Sequence, residues 1–262
     1  MSMFDGFKFR SVSSPVHTMD PRAKFIYVCA LFSVAVMFNQ LIPLLILFVI
    51  QIPFVVLAGV QKEWLRSMKG SAMFAVIIFT MNLLSLYFYG SYGSLPAIIE
   101  RSLAMTVRFL VLIESFSVFF LTTSPDLLGL ALEQSHVPYE LCFAFTTAVR
   151  FVPVLAEEAQ TIMDAQKARG LELEGGNFIK KIRNYIPILI PLIVNAIRRS
   201  LELAETMESR AWGATKNRTN LYVLKIGGKD IYLILVSAVI FVVSVYVSIY
   251  IQFPALTQLL VG

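Results

Sequence analysis

Long apolar runs joined by short polar links make up most of the chain, and one extended stretch past its midpoint alternates apolar and charged residues at helical spacing. A helix needs roughly 20 mostly apolar residues to cross a bilayer. Ile231 to Ile251 meets this without a single charge. Ser71 to Tyr89 is a second span, and Leu41 to Val60 a third, with Pro43 and Pro53 inside it as tolerated kinks. Phe25 to Phe38 is shorter. Asp20-Pro21-Arg22-Ala23-Lys24 begins its helix below the hydrocarbon, with Asp20 as N-cap and Pro21 as the first helical residue. Ala104 to Leu121 is the fifth span and carries Arg108 and Glu114.

Beyond Leu121 the pattern changes. Thr122-Thr123-Ser124-Pro125-Asp126 reads as a helix start, with Ser124 as cap and Asp126 at the positive helix end. A short amphipathic helix follows over Leu127 to Gln134, and His136-Val137-Pro138 breaks it. From about Tyr139 to Arg169, apolar Phe151, Val154, Leu155, Ile162, Ala165 and Ala168 recur at three- and four-residue steps. Gly170 follows as a helix stop and Gly175-Gly176-Asn177 as a turn. The next helix runs from about Ile188 to Arg210. Ile193, Ala196, Ile197, Ser200, Leu203, Ala204, Met207 and Ala211 form one stripe on it, and Asn195, Arg198, Arg199, Glu202, Glu205 and Ser209 face away. Leu141 to Ala156 and Tyr185 to Ile197 are apolar but interrupted by Arg150 and Pro153, and by Pro187, Pro191 and Asn195. They are expected to lie at the membrane surface rather than to cross it.

Composition turns these runs into a class. Hydrophobic residues are 57% of the chain and charged ones only 15%, well under the share in soluble domains. Mean hydropathy is +0.74. The reading is an all-α integral membrane protein with about five transmembrane helices plus long cytoplasmic amphipathic helices. Residues 1–121 hold the first four spans, 122–230 the amphipathic region, and 231–262 the last span and tail. Lys and Arg collect before span one, between spans two and three, and in 122–230. The links between spans one and two and between three and four are uncharged, with Arg101 the mild exception. The positive-inside rule therefore puts the N-terminus and residues 122–230 in the cytoplasm and the C-terminus outside, in a cell membrane. A net charge of +5, with its bases interleaved with acids, suits anionic lipid and not nucleic acid.

Candidate chemistry narrows to two arginine signatures, Ala168-Arg169-Gly170 and Ser209-Arg210-Ala211, each ending an amphipathic helix. Two readings stand. One is a packed hairpin with solvated charges. The other is a platform whose arginines enter acceptor grooves on partner proteins, where the planar guanidinium makes bidentate bonds to carboxylates and small neighbours permit close approach. No catalytic or metal set emerges. Cys29 and Cys142 are isolated, and His17 and His136 lack neighbouring ligands. Gly227-Gly228-Lys229 lacks the earlier glycine and the hydroxyl residue of a phosphate loop, so no nucleotide or other cofactor is assigned to this chain. The rival classes are a self-contained secondary transporter built on Arg108 and Glu114, and a membrane enzyme built on Glu157, Glu158 and Asp164. Arg108 and Glu114 lie too far round their helix to share a face, and no two-half repeat accompanies them. In the bland reading Arg108 lies near the outer interface and Glu114 is bonded inside the bundle.

The order of these motifs resembles the transmembrane T component of energy-coupling-factor (ECF) transporters, a branch of the ABC importers. The resemblance rests on Asp20-Pro21-Arg22-Ala23-Lys24, Thr122-Thr123-Ser124-Pro125, Arg150-Phe151-Val152-Pro153, Ala165-Gln166-Lys167-Ala168-Arg169-Gly170 and the second arginine signature. The second signature departs from the first in having Ala211 where glycine is common. The resemblance implies that Arg169 and Arg210 each engage one of two ABC ATPase subunits, which bind ATP and Mg. It implies that the amphipathic helices are coupling helices relaying ATPase closure to a membrane-embedded substrate-binding S component. The transported molecule would be a vitamin or a transition-metal ion.

Overall fold

A computed structural model describes residues 14, 16–89, 95–172, 177–214 and 222–250. The described residues form helices and connections only, and the helices number eight. They divide into two compact units, one of residues 9–134 with 224–262, the other containing residues 135–223. The Gly175-Gly176 turn, the polar run after Ala214, residues 90–94 and the tail after Tyr250 lie outside the described residues.

The first unit is built on α1 (Pro21–Met37), α2 (Leu41–Ala58), α3 (Gln61–Tyr89), α4 (Leu95–Thr122), α5 (Pro125–Gln134) and α8 (Gly228–Tyr250). α1 packs against α8 and α4, and α4 also against α2 and α3. Leu31, Val34 and Ala35 of α1 are buried with Leu44, Val111 and Phe119 in the core. The expected starts of α1 and α5 hold. Asp20 caps α1 by accepting from the Arg22 N–H at 2.9 Å, ahead of Pro21. The Ser124 hydroxyl accepts from the Leu127 N–H at 3.3 Å at the start of α5. α5 ends at Gln134, and His136 takes φ 65°.

One end of this unit is tied by buried polar groups. The Asp230 carboxylate accepts from the Asp20 N–H and the Gly227 N–H, both at 2.8 Å, joining the start of α1 to the start of α8. Lys24, 1% exposed, donates to the Thr122 carbonyl at the end of α4 at 2.8 Å. Lys24 lies in the first turn of α1, ahead of the apolar run. Burial pushes its ammonium down to about 8, against the raising pull of Asp230 and Asp20. Arg22 reaches the Gln134 side chain at 2.7 Å and so holds the last residue of α5.

Among the described residues five helices are long and apolar enough to cross a membrane: α2, α3, α4, α8 and α6 (Tyr139–Ala168). By length and composition alone the set includes α6, whose apolar part was expected at the membrane surface, and leaves out α1. α1 has 17 residues, which at 1.5 Å each reach only about 26 Å. α6 has 30, because Pro153 sits inside it without ending it. Arg108 and Glu114 are bonded to different partners within this unit. Arg108 donates to the Phe38 carbonyl and, at 2.7 Å, to Asn39 in the α1–α2 link. Glu114 is fully buried and accepts from Ser71 at 3.3 Å, fastening α4 to α3.

Candidate functional site

The second unit is an antiparallel hairpin of α6 and α7 (Phe178–Ser209). α7 begins ten residues earlier than the sequence pattern suggests, so that Pro187 as well as Pro191 lies inside it. Pro191 has no N–H to give the Pro187 carbonyl, as the i→i−4 ladder requires. Gln166 of α6 supplies a substitute, its amide donating to that carbonyl at 3.4 Å. A defect in one helix is thus met by a side chain of the other, and α7 continues through its prolines.

Further contacts fix the register. Glu158 accepts from Asn195 at 2.6 Å and pairs with Arg199 at 3.3 Å. The Arg199 guanidinium lies 6.0 Å from the Phe151 ring. Asn184 donates to the Glu172 carbonyl at 2.6 Å. At the other end Trp212 packs on Phe143, centroids 4.4 Å apart, and on Tyr139 at 5.3 Å. Asn195 and Arg199 therefore meet α6, where the sequence pattern had them facing away. Much of the apolar stripe is outside the hairpin instead: Ile193 and Ile197 are more than half exposed.

This register puts the two arginine signatures at opposite ends. Arg169 lies where α6 ends and α7 begins, Arg210 where α7 ends beside the start of α6. About 25 residues of α7 separate the two levels, which at 1.5 Å per residue is roughly 38 Å along the hairpin.

Both tips are closed by the same backbone device. At the first, Gly170 N–H donates to the Lys167 carbonyl at 2.9 Å and Leu171 N–H to the Gln166 carbonyl at 3.0 Å. At the second, Ala211 N–H donates to Glu208 at 2.9 Å and Trp212 N–H to Met207 at 3.0 Å. These 5→2 and 6→1 bonds define a Schellman motif. Each arginine is the C-cap residue, with φ −85° at Arg169 and −95° at Arg210, and the next residue is left-handed, with φ 87° at Gly170 and 59° at Ala211. Ala168, Arg169, Gly170, Ser209, Arg210 and Ala211 are all exposed. The chain thus presents two guanidinium groups in matching local frames at two distant points.

The roles of Trp212, Gln166 and Glu158 in pairing α6 with α7 escaped the sequence reading. Tyr139 and Phe143, one helical turn apart, were a signal for an aromatic partner. Glu157, Glu158 and Asp164 do not converge: Glu158 faces α7, while Asp164 is bonded by Gln160 of its own helix at 3.0 Å. Cys29 and Cys142 lie in different units, with Cys142 buried. Among the described residues no group of three or more His, Cys, Asp or Glu could hold a metal ion.

Comparison with known proteins adds an independent line. Residues 12–221 match the family profile CbiQ, described as "Cobalt transport protein". The chain is 30% identical over 233 residues to the energy-coupling factor transporter transmembrane protein EcfT of Thermosediminibacter oceani, covering 84% of this chain and 88% of the relative. It is 32% identical over 239 residues to EcfT of Lactococcus lactis, covering 84% and 89%. It is 32% identical over 254 residues to EcfT of Acidaminococcus fermentans, covering 89% and 92%.

Proposed function

The chain belongs to the CbiQ family, as the multi-pass transmembrane T component of an energy-coupling-factor transporter, and from that premise we propose that it couples two ABC ATPase subunits to a membrane-embedded S component. ATP and Mg bind on the ATPases, and the chain itself transmits motion without catalysing a reaction. Arg169 enters a groove on one ATPase and Arg210 a groove on the other. Ala168 and Gly170, and Ser209 and Ala211, keep the flanks of each arginine small enough for the contact. The substrate, a vitamin or a transition-metal ion, is held by the S component. The N-terminus and the hairpin are cytoplasmic and the C-terminus is outside.

One observation carries this reading: two exposed arginines in matching Schellman frames, at opposite ends of one hairpin and roughly 38 Å apart by helical rise. Schellman closures end many helices; the distinguishing feature is that each of these two carries an exposed arginine as its C-cap residue. Two neighbouring ATPases present two equivalent grooves, and a single bar with like ends can reach both. When the grooves approach or separate, the hairpin is driven at both ends. Its exposed apolar residues, Ile193 and Ile197 among them, give it a surface for a membrane partner.

The test is charge reversal in the assembled transporter. Arg169→Glu and Arg210→Glu should each reduce ATPase co-purification, and the double variant should abolish uptake while the chain still inserts in the membrane. A desolvated charge pair that loses one partner costs about 3–5 kcal/mol, which is 100-fold or more in affinity. Full uptake by the double variant would sink the proposal.

A further inference from the structure

The two tips share a backbone closure but are secured differently. At the first, the residue after the left-handed position is Leu171, and the tip is tied to α7 by the Asn184 bond to the Glu172 carbonyl. At the second, the corresponding residue is Trp212. Its N–H completes the Schellman motif on Met207, and its indole packs on Phe143 and Tyr139 in the first turns of α6. Tyr139 and Phe143 are themselves stacked, with centroids 6.2 Å apart, so three rings form one cluster. Arg210 lies just before this residue, in a segment bonded on one side to the last turn of α7 and on the other to the start of α6. Ala211 between them holds a left-handed conformation that alanine does not favour.

We infer that Trp212 is a positioning residue for Arg210: its ring contact with Phe143 and Tyr139 fixes the direction in which the second arginine is presented to its ATPase. The inference rests on the reading of Arg210 as an ATPase-docking side chain. An indole packed on two rings has few orientations. A push on Arg210 therefore reaches α6 through this cluster as well as through the backbone of α7. The first tip carries no ring at the equivalent position, so the dependence is confined to Arg210.

A double-mutant cycle separates positioning from general packing. The full-length chain in lipid nanodiscs is titrated with the purified ATPase pair. Trp212→Ala should weaken binding about tenfold, the scale of losing an aromatic pair and its packing. In an Arg169→Ala background it should again cost about tenfold. In an Arg210→Ala background it should cost less than about twofold, because the residue it positions is gone. Trp212→Phe, which keeps a ring on Phe143, should stay within about threefold of the parent. If Trp212→Ala fails to fold, Phe143→Leu breaks the same contact from α6 and is expected to follow the same cycle. An equal loss in both arginine backgrounds, or no loss in either, overturns the inference while leaving the docking role of Arg210 intact. Unchanged binding by Arg210→Ala alone overturns the docking reading, and the inference with it.

Discussion

Glycine and alanine occupy the same place in two like helix closures, so exchanging them should shift the two tips in opposite directions. Gly170 has φ 87° and Ala211 φ 59°. A left-handed conformation costs an L residue roughly 1–2 kcal/mol. Replacing glycine by alanine also returns roughly 0.4–1 kcal/mol by narrowing the unfolded chain. A Cβ added at Gly170 meets nothing within 4 Å, so no steric cost enters. The net expectation is a loss of about 1 kcal/mol for Gly170→Ala and a comparable gain for Ala211→Gly. The N–H groups of Leu171 and Trp212 close the two 6→1 bonds and report on the opening of each tip. One kcal/mol changes a local opening equilibrium about fivefold. Amide hydrogen exchange should therefore speed up about fivefold at Leu171 in the first variant and slow by a similar factor at Trp212 in the second. Shifts of the same sign, or shifts under about twofold in both, would refute this backbone account.

Three further outcomes follow from the packing. Asp230→Asn keeps one acceptor but turns an amide donor toward a backbone N–H, so denaturant unfolding in micelles should show a loss of about 3 kcal/mol; less than about 1 would mean that the carboxylate does not tie α1 to α8. Gln166→Leu should cost about 1 kcal/mol by stranding the Pro187 carbonyl, and Pro191→Ala, which restores an N–H to that carbonyl, should remove most of this cost; equal costs in both backgrounds would contradict the substitution of one donor for the other. Glu114→Gln preserves an acceptor for Ser71 and should leave uptake within about threefold; a loss beyond 100-fold would revive a proton- or ion-coupled transporter.

What the sequence disclosed followed from local chemistry. Asp20 before Pro21, Ser124 before Pro125 and Gly170 after Arg169 act on neighbours within a turn, and each does in the structure what its type and position imply. The apolar runs likewise mark α2, α3, α4 and α8, because length and hydropathy are properties of a single segment. The start of α7 was hidden because the sequence pattern began the helix just after Pro187, and the bond that meets the Pro187 carbonyl comes from Gln166, in a different helix. The direction of Asn195 and Arg199 was hidden for a related reason: which side of a two-sided helix is covered depends on the register with α6, set by Glu158 and by the rings at 139, 143 and 212. The two arginines were conspicuous by motif. Their placement at opposite ends of one hairpin came only with the antiparallel pairing.

That antiparallel pairing also governs how such a protein can diverge. The chain enters the hairpin before Tyr139 and leaves it after Trp212, so both connections lie at the Arg210 end and the Arg169 end is a turn. Adding residues beside that turn moves one arginine and leaves the other in place. The helices run against each other residue for residue, so an insertion in one must be matched in the other to keep Gln166 on Pro187 and Glu158 on Asn195. A lone added residue would rotate everything beyond it by about 100° and point its arginine elsewhere. Matched additions of about seven residues per helix, two turns each, would lengthen the hairpin by roughly 10 Å with every face preserved. A change in the spacing of the two arginines that keeps both faces of this hairpin therefore needs paired, near-whole-turn additions.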